Sequence, residues 1–139
     1  MSALTHANRK AAKMFIYRLG ENVPVYVRKK DGENRLNEPN TVYQREGNTL
    51  ALKYNTRGEN VRMDIGEFTN YEADFIVPYD SIAEEDCHVI YGGKEYALTV
   101  PEDEDSYVAF QSKRVEVLTI SNPSITVLDE DGNELQTPI

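Results

Sequence analysis

Residues 87–100, Cys87-His88-Val89-Ile90-Tyr91-Gly92-Gly93-Lys94-Glu95-Tyr96-Ala97-Leu98-Thr99-Val100, decide the fold class. Cys87 to Tyr91 reads as a strand, and Gly92-Gly93 supplies the two adjacent positive-φ positions of a tight hairpin turn. Glu95 to Val100 then returns antiparallel, with Tyr96, Leu98 and Val100 on one face. Just upstream, Tyr71, Ala73, Phe75 and Val77 alternate with Glu72 and Asp74, and only Ile76 spoils the polar side, which predicts a half-buried strand. Pro78 has no N–H to give a ladder and ends that strand. Tyr79-Asp80-Ser81 reads as a turn in which Asp80 or Ser81 accepts a backbone N–H. Downstream, Pro101 closes the hairpin, and the run Glu102-Asp103-Glu104-Asp105 belongs in solvent. Tyr107 to Phe110 and Arg114 to Ile120 supply one or two more strands, with Val115, Val117 and Thr119 sharing one face.

Further outward the pattern stays that of short strands. Val23, Val25 and Val27 alternate with Pro24, Tyr26 and Arg28, and Pro24 suits a strand start or an edge. Residues 30–48 carry no sustained period and are expected to form a long loop holding a short Thr41–Gln44 strand; such loops often have a binding task. Thr49–Tyr54 and Val61–Ile65 read as strands flanking the tip Asn55–Asn60, a protruding hairpin. Ser121-Asn122-Pro123 is a break, Ser124–Leu128 a last strand, Asp129–Glu134 a turn, and Leu135–Ile139 a tail. Seven to nine short strands fit a mainly β fold, a small antiparallel β-barrel with an N-terminal helix and long loops, better than a parallel α/β sheet. The expected organisation is an N-terminal amphipathic basic helix over residues 1–22, a β-barrel domain over 23–120 with the long loop 30–48, and a C-terminal strand or hairpin arm and tail over 121–139.

The helix is predicted over residues 2–19. Leu4, Ala7, Ala11, Met14 or Phe15, and Leu19 recur at spacings of three and four, an apolar stripe expected to pack on the barrel or on a neighbouring subunit. Gly20 suits the residue just past the helix end. Charge is distributed unevenly. The 139-residue chain has a net charge of −9, yet residues 1–30 hold seven cations against Glu21 alone, a local +6 that leaves −15 on the remaining 109 residues. A basic end on an acidic body can meet an acidic neighbour or nucleic acid, while the overall balance argues against a protein that coats nucleic acid.

Catalytic and metal chemistry find little support. One cysteine, Cys87, excludes an internal disulfide and a multi-cysteine zinc site. Cys87 and His88 are adjacent, so in a strand they point to opposite faces and do not form a catalytic pair or a two-ligand metal site. Ser81 has no histidine at a recognisable spacing. The acidic clusters Glu84–Asp86 and Glu102–Asp105 read as charged turns, because acid–base work needs a carboxylate held in a cleft with a raised pKa. Asp129–Glu134 lacks the ligand spacing and flanking helices of a calcium loop. Gly92-Gly93 lies between two strands and precedes no helix, so it is not a phosphate cradle. The nine tyrosines and four phenylalanines are not interleaved with basic residues in the acidic body, which favours packing over a base-stacking platform. No apolar stretch is long enough for a membrane helix or a signal-peptide core, so neither is expected. No cofactor and no enzymatic activity are expected.

The segment Phe75–Val100, FIVPYDSIAEEDCHVIYGGKEYALTV, with the following Lys113–Leu118, KRVEVL, resembles the head-completion proteins of tailed phages and tailed archaeal viruses, the stopper or adaptor subunits of the head–tail connector. A strand ending at a proline, an acidic turn and a hairpin at Gly93-Lys94-Glu95-Tyr96 carry the likeness, over about half the chain. The resemblance implies a β-barrel subunit assembled into a ring, usually of twelve copies, between portal protein and tail in the virion neck. Such a ring extends or closes the DNA channel, with the portal protein, a tail or tail-completion protein and packaged double-stranded DNA as partners. Applied to this chain, it makes Arg9, Lys10, Lys13, Arg18, Arg35, Arg45 and Arg57 candidate partner or channel contacts. A tail-completion or tail-terminator subunit is the near alternative. A small ligand- or nucleic-acid-binding β-barrel is the alternative of another class.

Overall fold

A computed structural model of the chain describes residues 3–33, 39–54, 61–62, 68–69, 71–120 and 122–135. Helix α1 spans Ala3–Leu19. It ends where the Gly20 N–H reaches the Ile16 carbonyl at 2.8 Å and the backbone passes against Ala51, a closeness that only a residue without a Cβ permits. The strands are β1 (Glu21–Glu33), β2 (Pro39–Tyr54), β3 (Val61–Arg62), β4 (Phe68–Thr69), β5 (Tyr71–Pro78), β6 (His88–Tyr91), β7 (Lys94–Asp103), β8 (Tyr107–Arg114) and β9 (Ile125–Leu128). The β6–β7 hairpin is as the sequence predicts: Tyr91 pairs with Lys94, and Gly92 and Gly93 take φ of 58° and 77°.

The expected small antiparallel β-barrel is corrected. Seven strands form one mixed sheet in the order β1-β6-β7-β8-β5-β2-β9, in which β9 runs parallel to β2 and lies at an open edge. The long β2 changes neighbours along its length. It pairs with β1 from Pro39 to Ala51, with β9 at Thr41–Gln44 and with β5 at Leu52–Tyr54. Parallel partners cannot be joined by a tight turn: β3 to β8 lie between β2 and β9 in sequence, and the segment after β8 is the crossover that returns the chain to β2. Strand periodicity shows which residues share a face but not which strand lies beside which, so the parallel edge was not visible in it.

The expected loop 30–48 is also corrected. β1 runs to Glu33, β2 begins at Pro39, and most of the interval is a two-stranded extension with Asp31 opposite Thr41. Two register slips, at Val25/Tyr26 and Arg28/Asp31, break the alternation that would have marked these strands. Among the described residues Thr49–Tyr54 does not pair with Val61–Arg62 as expected; β3 pairs with β4 instead. Residues 34–38 and 55–60, with Arg35 and Arg57 and the expected hairpin tip Asn55–Asn60, lie outside the described residues.

Two cores result. Val23, Val25, Ala51, Phe75, Val77, Val89, Tyr96, Leu98 and Phe110 fill the first. Tyr26, Tyr43, Ile90, Leu118 and Val127 fill the second, under the crossover and β9. Consecutive Val25 and Tyr26 are both fully buried because neighbouring strand residues point to opposite faces, here into different cores. β6 alternates in the same way, with Val89 in the first core and Ile90 in the second, so both faces of the strand are covered. Each fully buried side chain of Leu or Phe size contributes about 1.5–3 kcal/mol. Val100 was expected beside Tyr96 and Leu98, yet a slip between Thr99 and Glu102 turns it outward with φ 50°. β7 does not close at Pro101; the proline sits within that slip, where no ladder N–H is required.

Candidate functional site

Helix α1 lies on β2 and β5. Its inward line is Thr5, Arg9, Ala12 and Ile16, and only Ile16 is fully buried. The rest of the docking is polar. The Arg9 guanidinium lies 4.1 Å from the centre of the Tyr79 ring, and its Nε donates to the Asp105 carbonyl at 2.7 Å. Lys13 Nζ meets Asp80 at 3.3 Å. These contacts fasten the helix to the turns after β5 and β7.

The apolar stripe, expected to pack on the barrel or on a neighbouring subunit, does not pack on the sheet. Ala7 and Ala11 are exposed, Met14 is 46 % exposed, Phe15 53 % and Leu19 58 %, with Tyr17 beside them at 66 %. The side turned to the sheet is instead Thr5, Arg9, Ala12 and Ile16, which also repeat at four and three. On one flank, Phe15 and Ala12 border a groove of about 330 Å³ completed by Tyr54, Ile76 and Tyr107.

The candidate cations separate into groups. Arg9 and Lys13 hold the helix, as above. Arg45 forms a two-pronged pair with Glu130, at 2.7 and 3.2 Å, that ties β2 to the turn after β9. The Glu130 hydrogen bond is the main reason the guanidinium sits above its ordinary pKa, and the same bond holds the Glu130 carboxyl below the usual carboxylate range. Lys10 and Arg18 are exposed on α1, while Arg35 and Arg57 are outside the described residues. Of the five described, Arg9, Lys10 and Lys13 line one pocket with His6, Tyr79 and Asp80, and Arg18 and Arg45 do not line it.

A buried polar cluster went unnoticed in the sequence. Glu95, 1 % exposed, accepts on Oε1 from the N–H groups of Val117, Leu118 and Thr119 at 3.0, 2.6 and 3.1 Å. Its Oε2 lies 2.6 Å from Nδ1 of His88, whose ring packs 4.9 Å from that of Tyr43. Burial alone would raise the Glu95 pKa; the His88 bond and the Leu118 and Thr119 amides outweigh it and hold the carboxyl below its ordinary value. An ionised carboxylate only accepts, so Nδ1 of His88 carries the proton between them. Three successive N–H groups cannot converge on one oxygen in a strand, where they alternate in direction. This is why Arg114–Ile120 is not the expected strand: β8 ends at Arg114, and residues 115–120 wrap a carboxylate. The sequence carried no signal for it, because alternation places Glu95 opposite Tyr96 and Leu98, on the face that reads as solvated.

Cys87 points the other way, into the first core, as its adjacency to His88 requires. Burial pushes its thiol up to about 11, so it is not an activated nucleophile. Among the described residues no three His, Cys, Asp or Glu side chains are grouped to hold a metal ion, and no helix is long and apolar enough to cross a membrane.

No family model and no curated protein sequence matches the chain. Among solved structures it is similar to the phage-like element PBSX protein xkdH from Bacillus subtilis, with a TM-score of 0.48 and 11 % sequence identity over 70 % of this chain and 96 % of that one.

Proposed function

We propose that this chain is a non-enzymatic structural subunit that works by assembly, forming a ring in the neck of a tailed virion between portal and tail. The observation that carries the assembly part is the outward apolar line of α1, Ala7-Ala11-Met14-Phe15, which joins the Phe15–Tyr54–Tyr107 groove. Apolar surface of this kind marks contact with another macromolecule. An enzyme would instead gather convergent polar groups with perturbed pKa values in a cleft. Here the strongest such cluster, His88 and Glu95, is buried and already satisfied by backbone. The neck location draws on the likeness of Phe75–Val100 and Lys113–Leu118 to head-completion proteins.

The test is native mass measurement with low-resolution imaging of the purified protein and of virions. A cyclic oligomer around an axial channel, present in virions, is the expected result. Absence from virions would sink the neck assignment, and a protein that stays monomeric at high concentration and on its neighbours would sink the ring.

A further inference from the structure

We propose that the outward face of α1 docks on the acidic turn Ile82–Asp86 of a second copy of this chain, a head-to-tail contact between two different surfaces. The inference rests on the assembly reading above and names the surfaces that would meet.

Ala7, Ala11, Met14 and Arg18 follow one another at four, three and four residues along the side of α1 turned away from the sheet. Two alanines let another backbone approach closely, and Met14 with Phe15 supplies the apolar contact. The charges around this line have one sign: α1 holds Arg9, Lys10, Lys13 and Arg18 and no acidic residue. Two copies of α1 facing each other would bring like charges together, which disfavours a symmetric helix–helix contact.

The complementary surface is on the same chain. Ile82 is 46 % exposed and is followed by exposed Glu84, Glu85 and Asp86, with no cation between Tyr79 and Cys87. The turn is held in place. The Ser81 N–H bonds the Pro78 carbonyl at 3.0 Å, Ser81 Oγ bonds Thr49 Oγ1 at 2.5 Å and accepts from the Ala83 N–H at 3.0 Å, and the Cys87 N–H bonds the Glu84 carbonyl at 3.1 Å. An apolar tip with an acidic rim matches an apolar line with a basic rim.

The two surfaces also lie on different sides of the helix. Asp80, two residues before Ile82, touches α1 at Lys13, and Lys13 and Phe15 are roughly 160° apart around the axis. A contact between unlike patches propagates from copy to copy and closes into a ring or continues as a filament. Double-stranded DNA fits the face less well, since Arg9 and Lys13 are engaged within the chain and the middle of the face is apolar.

The decisive experiment is cysteine cross-linking, which Cys87 does not disturb because it is buried. Met14→Cys and Ile82→Cys are made singly and together. Both positions are exposed, so unchanged melting temperatures confirm that each variant folds. On mild oxidation the double variant is expected to give a ladder of covalent oligomers, and a mixture of the two single variants a covalent dimer. A covalent dimer from Met14→Cys alone would show a symmetric helix contact and overturn the proposal. In a protein whose native mass shows a ring, absence of the ladder overturns this contact and leaves the ring reading standing; a protein that is monomeric throughout overturns both. As an independent arm, Arg18→Glu is expected to weaken assembly at least tenfold, with recovery on adding Glu85→Arg. Unchanged assembly of Arg18→Glu, with loss of binding to a double-stranded DNA fragment instead, would assign the face to nucleic acid and overturn the proposal.

Discussion

Replacing Glu95 tests how the crossover from β8 to β9 is held. Alanine at this position removes the acceptor of the Val117, Leu118 and Thr119 amides, bonded at 3.0, 2.6 and 3.1 Å, and leaves His88 facing an empty site where a carboxylate stood 2.6 Å away. Each buried donor left without its acceptor costs about 1–3 kcal/mol, so the loss of this shared carboxylate is expected to cost about 3–5 kcal/mol. For a domain between the sizes usually tabulated, at about 3–4 °C per kcal/mol, this lowers the melting temperature by roughly 10–20 °C. Glutamine keeps an oxygen for the three amides and loses only the charge assistance, so Glu95→Gln is expected to cost about 1–3 kcal/mol.

The pH dependence has a fixed sign. The carboxyl is depressed in the folded state, so its contribution to stability is fully present above the unfolded carboxylate pKa and is lost as pH falls through the folded value. Urea denaturation at pH 7 and at steps below pH 4.5 should show an acid loss in the wild-type protein that is smaller in Glu95→Gln. Hydrogen exchange at the 117–119 amides should accelerate in both variants. A Glu95→Ala protein within about 1 kcal/mol of wild type would refute the reasoning, as would a Glu95→Gln protein with an unchanged acid slope.

Ile16→Ala removes the one fully buried side chain among the described side chains of α1, and about 2–5 kcal/mol of unfolding free energy should go with it, measured by urea denaturation. Gly20→Ala drives a Cβ into the Ala51 carbonyl and should cost about 1–3 kcal/mol by the same assay, with the helix displaced from β2. The Cys87 thiol, buried and pushed up to about 11, should react with a thiol reagent at neutral pH only at the rate of opening, and fully in denaturant.

The turns of this fold were legible and its closure was not. Gly92-Gly93 fixes a hairpin because two successive residues with positive φ leave the chain few other conformations. Pro78 and Gly20 mark boundaries for equally local reasons. Strand neighbours are not local. The sequence around Thr41–Gln44 looks like a fragment in a loop, because slips at Val25/Tyr26 and Arg28/Asp31 and cover on both faces remove the period-two signal. β9, four residues long, gives no sign that it runs parallel to β2. The Glu95 cluster was hidden for a related reason: an acidic residue beside a turn reads as solvated until the crossover is known to bring three amides onto it.

The orientation of α1 bears most directly on function. Amphipathicity identifies an apolar side, and in a chain that works alone that side enters the core. Here the side with Ala7, Ala11, Met14 and Phe15 faces out, while the helix is anchored by one isoleucine, a cation over a tyrosine and two polar contacts. Met14 and Phe15 are 46 % and 53 % exposed, so burying the remainder against the sheet would have gained roughly 0.7–1.5 kcal/mol for each, and the observed orientation forgoes that stability in the isolated subunit. That arrangement is intelligible if the apolar side is buried in a later step. An exposed apolar line then has a use that the monomer does not show, and the Arg9–Tyr79 and Lys13–Asp80 contacts acquire a role of their own. On the proposed assembly, they would orient the helix so that this side stays available to the next copy.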